Sequence, residues 1–263
     1  MVEWFSDAHI WRLLIIGFSA GLMDAAVGGG GLLQIPGLFN ALPKHTIVPI
    51  VMGVNKFASA SGTLVAAVQY TRRIPVPWAM LLPAAVLAFV FSYLGSHIVV
   101  YLPTAWMKPS ILVILIVMAV YTFLKKDLGQ VQRRSHLSRR EYVFGLFMGA
   151  LIGLYDGILG PGTGSLLAFV FVRFFAFDFI TATASSKVIN LTTNLAALAF
   201  FIPNQYVVWH WAIPLAAANL TGGLIGSRLA MIGGSELIRK GFIIVLCIMI
   251  CSFGRDLLIS YFK

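Results

Sequence analysis

Charged side chains are scarce in this chain. Asp, Glu, Lys and Arg make up 11% of its 263 residues, against about 25% in soluble domains. A soluble core of this size would leave far more surface to solvate, which excludes a water-soluble globular enzyme or binding domain. Acidic residues are the rarer sign, 9 against 19 Lys and Arg. The net charge of +10 would suggest a nucleic-acid partner in a soluble protein. Here it has a simpler cause, because basic residues collect in the cytoplasmic loops of membrane proteins. Lys125, Lys126, Arg133, Arg134, Arg139 and Arg140 fall in one stretch too short for a nucleic-acid domain. Cysteine is nearly absent. Cys247 and Cys251 lie four residues apart in an apolar segment, without metal-site spacing, and fit small core or lipid-facing positions. His45, His97 and His210 do not cluster, so no metal site is expected. No Ser-His-Asp arrangement assembles from the segment order, which leaves an intramembrane enzyme without a nucleophile. No cofactor motif is found. The start of the chain, with Glu3 and Asp7, does not read as a secretory signal.

What fills the chain is apolar, at 59%. Residues 74–107, 109–124 and 188–227 contain no Asp, Glu, Lys or Arg. A spanning helix needs roughly 20 apolar residues, so the last run holds two crossings. Trp4, Trp11, Trp78, Trp106, Trp209 and Trp211 sit near segment ends, as interface anchors do. The expected fold is an all-α polytopic membrane protein with about 8–10 crossings.

The chain repeats itself. Gly17, Gly21, Asp24, Gly28 and Gly30 recur as Gly149, Gly153, Asp156, Gly160 and Gly162, displaced by 132 residues. Further along the displacement is 131: Lys56 matches Lys187, Trp78 matches Trp209, Pro83 matches Pro214, and Gly95-Ser96 matches Gly226-Ser227. The organisation expected is a first transmembrane repeat over 1–125, a basic cytoplasmic linker over 126–140 and a second repeat over 141–263. Basic residues switch sides between copies. Arg72-Arg73 corresponds to Pro203-Asn204, and Arg228, Arg239 and Lys240 fall where the first copy has only His97 and Lys108. That favours inverted over parallel repeats. Inversion requires the short segments 32–42 and 165–177 to count as crossings or broken half-helices.

Two glycine clusters are the sharpest motif. One runs from Asp24 through Gly28, Gly29, Gly30 and Gly31 to Gln34 and Pro36. The other runs from Asp156 through Gly160, Pro161, Gly162, Thr163 and Gly164 to Ser165. Each glycine costs a helix interior about 1 kcal/mol against Ala, so each cluster marks a helix break. Broken backbone at membrane depth must be buried in protein or line a wet cavity. The helix restarting after it points free N–H groups and a positive dipole end at that cavity, a ready anion site. Close packing through small residues is the other reading, and is favoured for Gly17, Gly21, Gly149 and Gly153. Neither cluster ends in the Lys-Ser/Thr of a phosphate-binding loop.

Asp24, Lys56, Asp156 and Lys187 each sit in an apolar segment of one repeat and recur in the other. Charge inside a bilayer is costly and functional by default, although Asp–Lys ion pairs or Asp helix caps would also place it there. The lysine helices carry a polar stripe: Asn55, Lys56, Ser59 and Thr63 in the first copy, and Ser186, Lys187, Asn190, Thr193 and Asn194 in the second. Spacings of three, four and seven put Lys187, Asn190 and Asn194 on one face. The stripe faces either a cavity or a neighbouring helix. Two lysines with two helix N-termini favour an anionic substrate, and the aspartates are candidates for proton coupling or for anchoring the lysines.

Gly21-Leu-Met-Asp24-Ala-Ala-Val-Gly28-Gly-Gly-Gly31-Leu-Leu-Gln34-Ile-Pro36, followed by Asn55-Lys56, resembles the TauE/SafE family of sulfite and organosulfonate exporters. So does Tyr155-Asp156-Gly-Ile-Leu-Gly160-Pro-Gly-Thr-Gly164-Ser165, followed by Ser186-Lys187-Val-Ile-Asn190. The resemblance covers nearly the whole chain. It implies a multi-pass secondary transporter of the bacterial inner membrane, usually an exporter, with small sulfur-containing anions such as sulfoacetate or sulfite as cargo. The site expected is central, between the repeats. Gly28, Gly29, Gly30, Gly31, Gly160, Gly162 and Gly164 supply backbone, Lys56 and Lys187 neutralise charge, and Gln34, Asn55, Ser59, Thr163, Ser165, Asn190 and Asn194 orient the ligand. The partners expected are a small sulfonate or sulfite and the lipid bilayer, with proton coupling and homo-oligomerisation left open and no nucleic acid. An anion channel, a proton- or cation-coupled carrier of another small carboxylate, and a cation transporter with Asp24 and Asp156 as ligands are the alternatives.

Overall fold

A computed structural model describes residues 8–43, 45–103 and 138–232, with isolated positions in 106–117 and 247–255. Residues 126–137 of the basic linker lie outside the described residues. Eight helices run through the described stretches: α1 (Ala8–Val27), α2 (Gly30–Ala41), α3 (Val48–Thr71), α4 (Trp78–Val99), α5 (Arg139–Ile158), α6 (Thr163–Phe175), α7 (Phe179–Phe201) and α8 (Trp209–Met231). No strand occurs among the described residues, and the chain is an all-helical membrane protein. Residues 10–27, 48–71, 78–99 and 139–158 are long and apolar enough to cross a bilayer. With 23 residues each, α7 and α8 are as long but more polar. The short helices α2 and α6, counterparts of one another in the two copies, have 12 and 13 residues, about 20 Å at 1.5 Å per residue, and cannot cross roughly 30 Å of hydrocarbon.

Burial is arranged for lipid outside and polar groups inside. Leu82, Val86, Val90 and Leu94 on α4, and Val143, Phe147 and Leu151 on α5, form exposed apolar stripes at four-residue spacing. Gln34, Asn55, Lys56, Asp156, Lys187, Asn190, Asn194 and Asn219 are buried. Where polar solvent is expected the helices are capped conventionally. Ser138 and Glu141 form a capping box at α5, and Asp178 accepts from Thr181 N–H at α7.

The same packing pairs occur twice. Helix α1 packs on α8 and α5 packs on α4; α3 packs on α8 and α7 packs on α4; α3 and α7 meet at the centre. The first two contacts are backbone to backbone. A Cβ on Gly17 or Gly21 would stand 2.6 and 2.1 Å from the carbonyls of Leu215 and Asn219, and one on Gly153 or Gly157 would stand 2.6 and 2.1 Å from those of Ala88 and Ser92. Gly17, Gly21, Gly149 and Gly153 are therefore packing residues. These contacts advance in step: Gly17 with Leu215, Gly21 with Asn219 and Leu22 with Gly226; Gly149 with Ala84, Gly153 with Ala88 and Gly157 with Ser92. Each pair of helices thus runs parallel. The α3–α8 contacts, Gly62 with Asn219 and Gln69 with Ser227, also run in step. So do Ser92 with Thr193 and His97 with Phe200 between α4 and α7.

Candidate functional site

Both helix breaks lie where the glycine clusters predict them. Helix α1 ends at Val27 and α2 restarts at Gly30; α5 ends at Ile158 and α6 restarts at Thr163. Gly28, Gly160 and Gly162 have φ of 85°, 80° and 78°, left-handed backbone that glycine adopts without a steric penalty. A tyrosine hydroxyl holds each break. Tyr70 donates to Ala25 O at 2.9 Å, and Tyr155 donates to Pro161 O. The breaks also touch one another. Ser165 N–H donates to Gly28 O at 3.0 Å and Ser165 Oγ to Val27 O at 3.1 Å.

Between the breaks, α3 and α7 close a small cavity. Its walls are Asp24, Gly28 and Gly31 from the first break, Asp156, Gly160, Gly162, Thr163 and Gly164 from the second, Asn55, Lys56 and Ser59 from α3, and Asn190 and Asn194 from α7. About 20 Å³ is open to the centre of a water molecule, room for one or two waters. The N–H groups of Gly31 and Gly164 have no acceptor among the described residues. They are first-turn amides at a helix N-terminus, where a small anion is favoured.

Five of the expected site residues serve elsewhere. Gly29 is the N-cap of α2, and Gly30 packs against Asp24 and Ala20. Gln34 donates to Asn55 O at 3.2 Å and accepts from Asn219 Nδ2 at 2.6 Å. Ser165 is the tie between the breaks. Lys187 lies behind the wall, donating to the Asp24 carboxylate at 2.8 Å and to the Asp24 carbonyl.

The charges are paired across the repeats. Lys56 Nζ is 2.6 Å from Asp156 Oδ2, with side chains 1% and 2% exposed, and Lys187 Nζ is 2.8 Å from Asp24 Oδ2, with side chains 0% and 14% exposed. Thr163 donates to Asp156 Oδ1 at 2.6 Å, and Thr63 to Asp24 Oδ2 at 3.3 Å. Each lysine is thus already met by an aspartate of the other repeat, and the four charges cancel. Anchoring the lysines, one of the two roles the sequence leaves open for Asp24 and Asp156, is the arrangement found. Unshared attraction for an anion comes from the helix-start amides. Asn219, Tyr70 and Tyr155 support the site and are not among the residues expected in it. An amide in the uncharged run 188–227 is a signal that could have pointed to Asn219, whereas nothing local distinguishes the tyrosines from interface anchors.

Gly31 offers a mild probe. A Cβ there would approach Gly160 O at 3.3 Å and Pro161 Cα at 3.4 Å, a contact that small shifts absorb. Gly31→Ala is expected to keep or slightly raise thermal stability, by up to about 1 kcal/mol from helix propensity. It narrows the cavity, and should lower substrate affinity about tenfold or more in a binding titration, since a displaced hydrogen bond to a charged group is worth roughly 1.5–3 kcal/mol.

Residues 13–253 match the family described as "Sulfite exporter TauE/SafE". A "Probable membrane transporter protein ORF9" of Sinorhizobium sp is 33% identical over 234 residues, covering 89% of this chain and 87% of the relative. A "Probable membrane transporter protein" of Haemophilus influenzae is 30% identical over 245 residues, covering 93% and 94%. The "Probable membrane transporter protein YfcA" of Escherichia coli K12 is 32% identical over 241 residues, covering 90% and 86%. No solved structure matches.

Proposed function

The chain belongs to the sulfite exporter TauE/SafE family of membrane transporters, and from that premise we propose that it is a multi-pass inner-membrane carrier exporting a small sulfur-containing anion, such as sulfoacetate or sulfite, by alternating access. The observation that carries this reading is the central cavity, where the free amides of two opposed helix breaks meet two cross-repeat Lys–Asp pairs. Donors fixed by backbone geometry suit an oxyanion. Two ion pairs of net zero charge suit neither a bound metal cation nor a highly charged anion.

The repeats are inverted in this proposal, and the helix registers support it. Helices α1, α3 and α8 share one direction, and α4, α5 and α7 share another. The six residues 72–77 between α3 and α4 reach at most about 20 Å, so α4 starts on the side where α3 ends and the two groups oppose. Equivalent helices of the two copies then fall in opposite groups. Size supports alternating access: a cavity holding one or two waters admits a sulfonate only if the breaks separate. The contacts that must yield are the two ion pairs and the Ser165–Gly28 tie. A proton on Asp156 or Asp24 would release its lysine, which couples opening to protons.

Flux in proteoliposomes tests the proposal. Labelled sulfoacetate or sulfite should move saturably and respond to an imposed pH gradient. Ohmic, non-saturating current would make the protein an anion channel, and sulfonate-independent cation flux abolished by Asp24→Asn and Asp156→Asn would make it a cation carrier.

A further inference from the structure

Asn55 sits in the wall of the cavity and is 3% exposed. Its backbone is fixed, since Gln34 Nε2 donates to Asn55 O and Asn219 in turn holds Gln34. Its carboxamide is bonded at neither end. Oδ1 is buried without a partner, and Nδ2 donates to no group among the described residues. Of the other amides nearby, Asn190 and Asn194 are each engaged at one end, Asn190 Oδ1 accepting from Asn194 Nδ2 at 3.4 Å, and Gln34 uses both ends. Asn55 also breaks the repeat. The four charges, Gly28 and Gly30 recur in both copies, but its equivalent is Ser186, whose hydroxyl is closed on Thr183 O at 2.8 Å.

A buried carboxamide oxygen without a partner costs stability unless something in the cavity completes it. Its two ends dictate what that can be. One edge presents an acceptor beside a donor, and its complement is an acid group that still carries its proton: the O–H donates to Oδ1 while the neighbouring oxygen accepts from Nδ2. A fully ionised oxyanion offers only acceptors and leaves Oδ1 unpaired. The charge balance points the same way. Lys56 with Asp156 and Lys187 with Asp24 sum to zero, leaving the Gly31 and Gly164 amides as donors for one negative group but no countercharge for a second.

We propose that the substrate binds as a monoprotonated oxyacid anion, with its ionised group on the Gly31 and Gly164 amides and its remaining acidic O–H on Asn55. Hydrogensulfite and a sulfonate bearing a carboxylic acid are both of this class. The inference rests on the anion reading above and sharpens it. The proton then crosses on the substrate itself, with no change of charge at Asn55.

The titratable groups lining the cavity with Asn55 are Lys56 on the same helix, Asp24 from α1 and Asp156 from α5; behind them lie Lys187 from α7, on Asp24, and the Tyr70 and Tyr155 hydroxyls at the breaks. A pH effect from any of these would be common to every ligand. An effect from the ligand's own proton moves with the ligand. The test is therefore a calorimetric titration of the purified full chain with malonate, methylphosphonate and methanesulfonate over a pH series. The first two lose their last proton at well-separated pH, and the third has none to lose in this range. Affinity for malonate and for methylphosphonate should fall about tenfold per pH unit above each ligand's own last ionisation, with the two midpoints as far apart as the ligands' own. Methanesulfonate should bind weakly throughout. Asn55→Ala should bind the protonated forms more weakly and so narrow the preference over the ionised forms, the charge balance supplying what remains. A midpoint shared by both ligands, a flat profile, or an unchanged preference in Asn55→Ala would overturn the inference while leaving an anion site standing. No binding by any of the three would overturn the anion site as well.

Discussion

Lys56→Ala and Asp156→Ala should each lower the stability of the folded protein by about 3–5 kcal/mol and abolish transport. The pair is 2.6 Å apart and almost fully buried, so removing one partner leaves the other charged, desolvated and unmatched. Asp156 also receives Thr163, which fixes its carboxylate and offers no replacement charge. The effect should be non-additive. Lys56→Met combined with Asp156→Leu replaces both charges by apolar groups of similar length, and should recover most of the stability in thermal denaturation while transport stays absent. Asp24→Ala should cost less than Asp156→Ala, because the Asp24 side chain is 14% exposed and water can enter beside Lys187. Single variants that melt like the wild type would mean that these groups are not ionised partners in the folded protein.

Gly21→Ala and Gly157→Ala should prevent accumulation of a folded, monodisperse protein, a cost of about 3 kcal/mol or more. Each added Cβ would stand 2.1 Å from a helix carbonyl, of Asn219 and Ser92 respectively. Both neighbours are backbone and cannot rotate away. Relieving the contact moves α8 from α1 or α4 from α5. Those shifts propagate to the site, since Asn219 steadies Gln34 and Ser92 donates to Thr193 O on α7 at 3.0 Å. Size-exclusion profiles of the two variants beside Gly31→Ala give the contrast: all three add one methyl, but only Gly31 has room for it. A monodisperse Gly21→Ala protein with wild-type melting would show that these helices are less closely apposed.

Much of this was legible in the sequence because it rests on local chemistry. Gly28–Gly31 and Gly160–Gly164 cannot continue a helix, and an apolar chain leaves few places for Asp24, Lys56, Asp156 and Lys187. The repeat made these features visible twice. Pairing was not legible. Whether Lys56 meets Asp24 of its own copy or Asp156 of the other depends on how α3 packs, which no spacing encodes. Gln34 and Ser165 read as ligand groups because they are polar beside a break, yet each satisfies backbone or side-chain partners set by tertiary packing. The number of crossings was blurred for a physical reason too. Helix α7 spends its polarity on the site, carrying Thr183, Ser185, Ser186, Lys187, Asn190, Thr193 and Asn194 inward, so hydropathy alone understates it.

The most direct measurement is the melting temperature of the purified protein with and without small oxyanions, for wild type and Gly31→Ala side by side. A ligand of the folded state stabilises it by about 2.7 kcal/mol at a hundredfold excess over its dissociation constant. Sulfite or sulfoacetate is expected to raise the wild-type midpoint in proportion to the logarithm of concentration, with a much smaller rise in Gly31→Ala and none with matched chloride salts of simple cations. An unchanged midpoint for every oxyanion, or an equal rise in both proteins, would contradict an anion site between the two breaks.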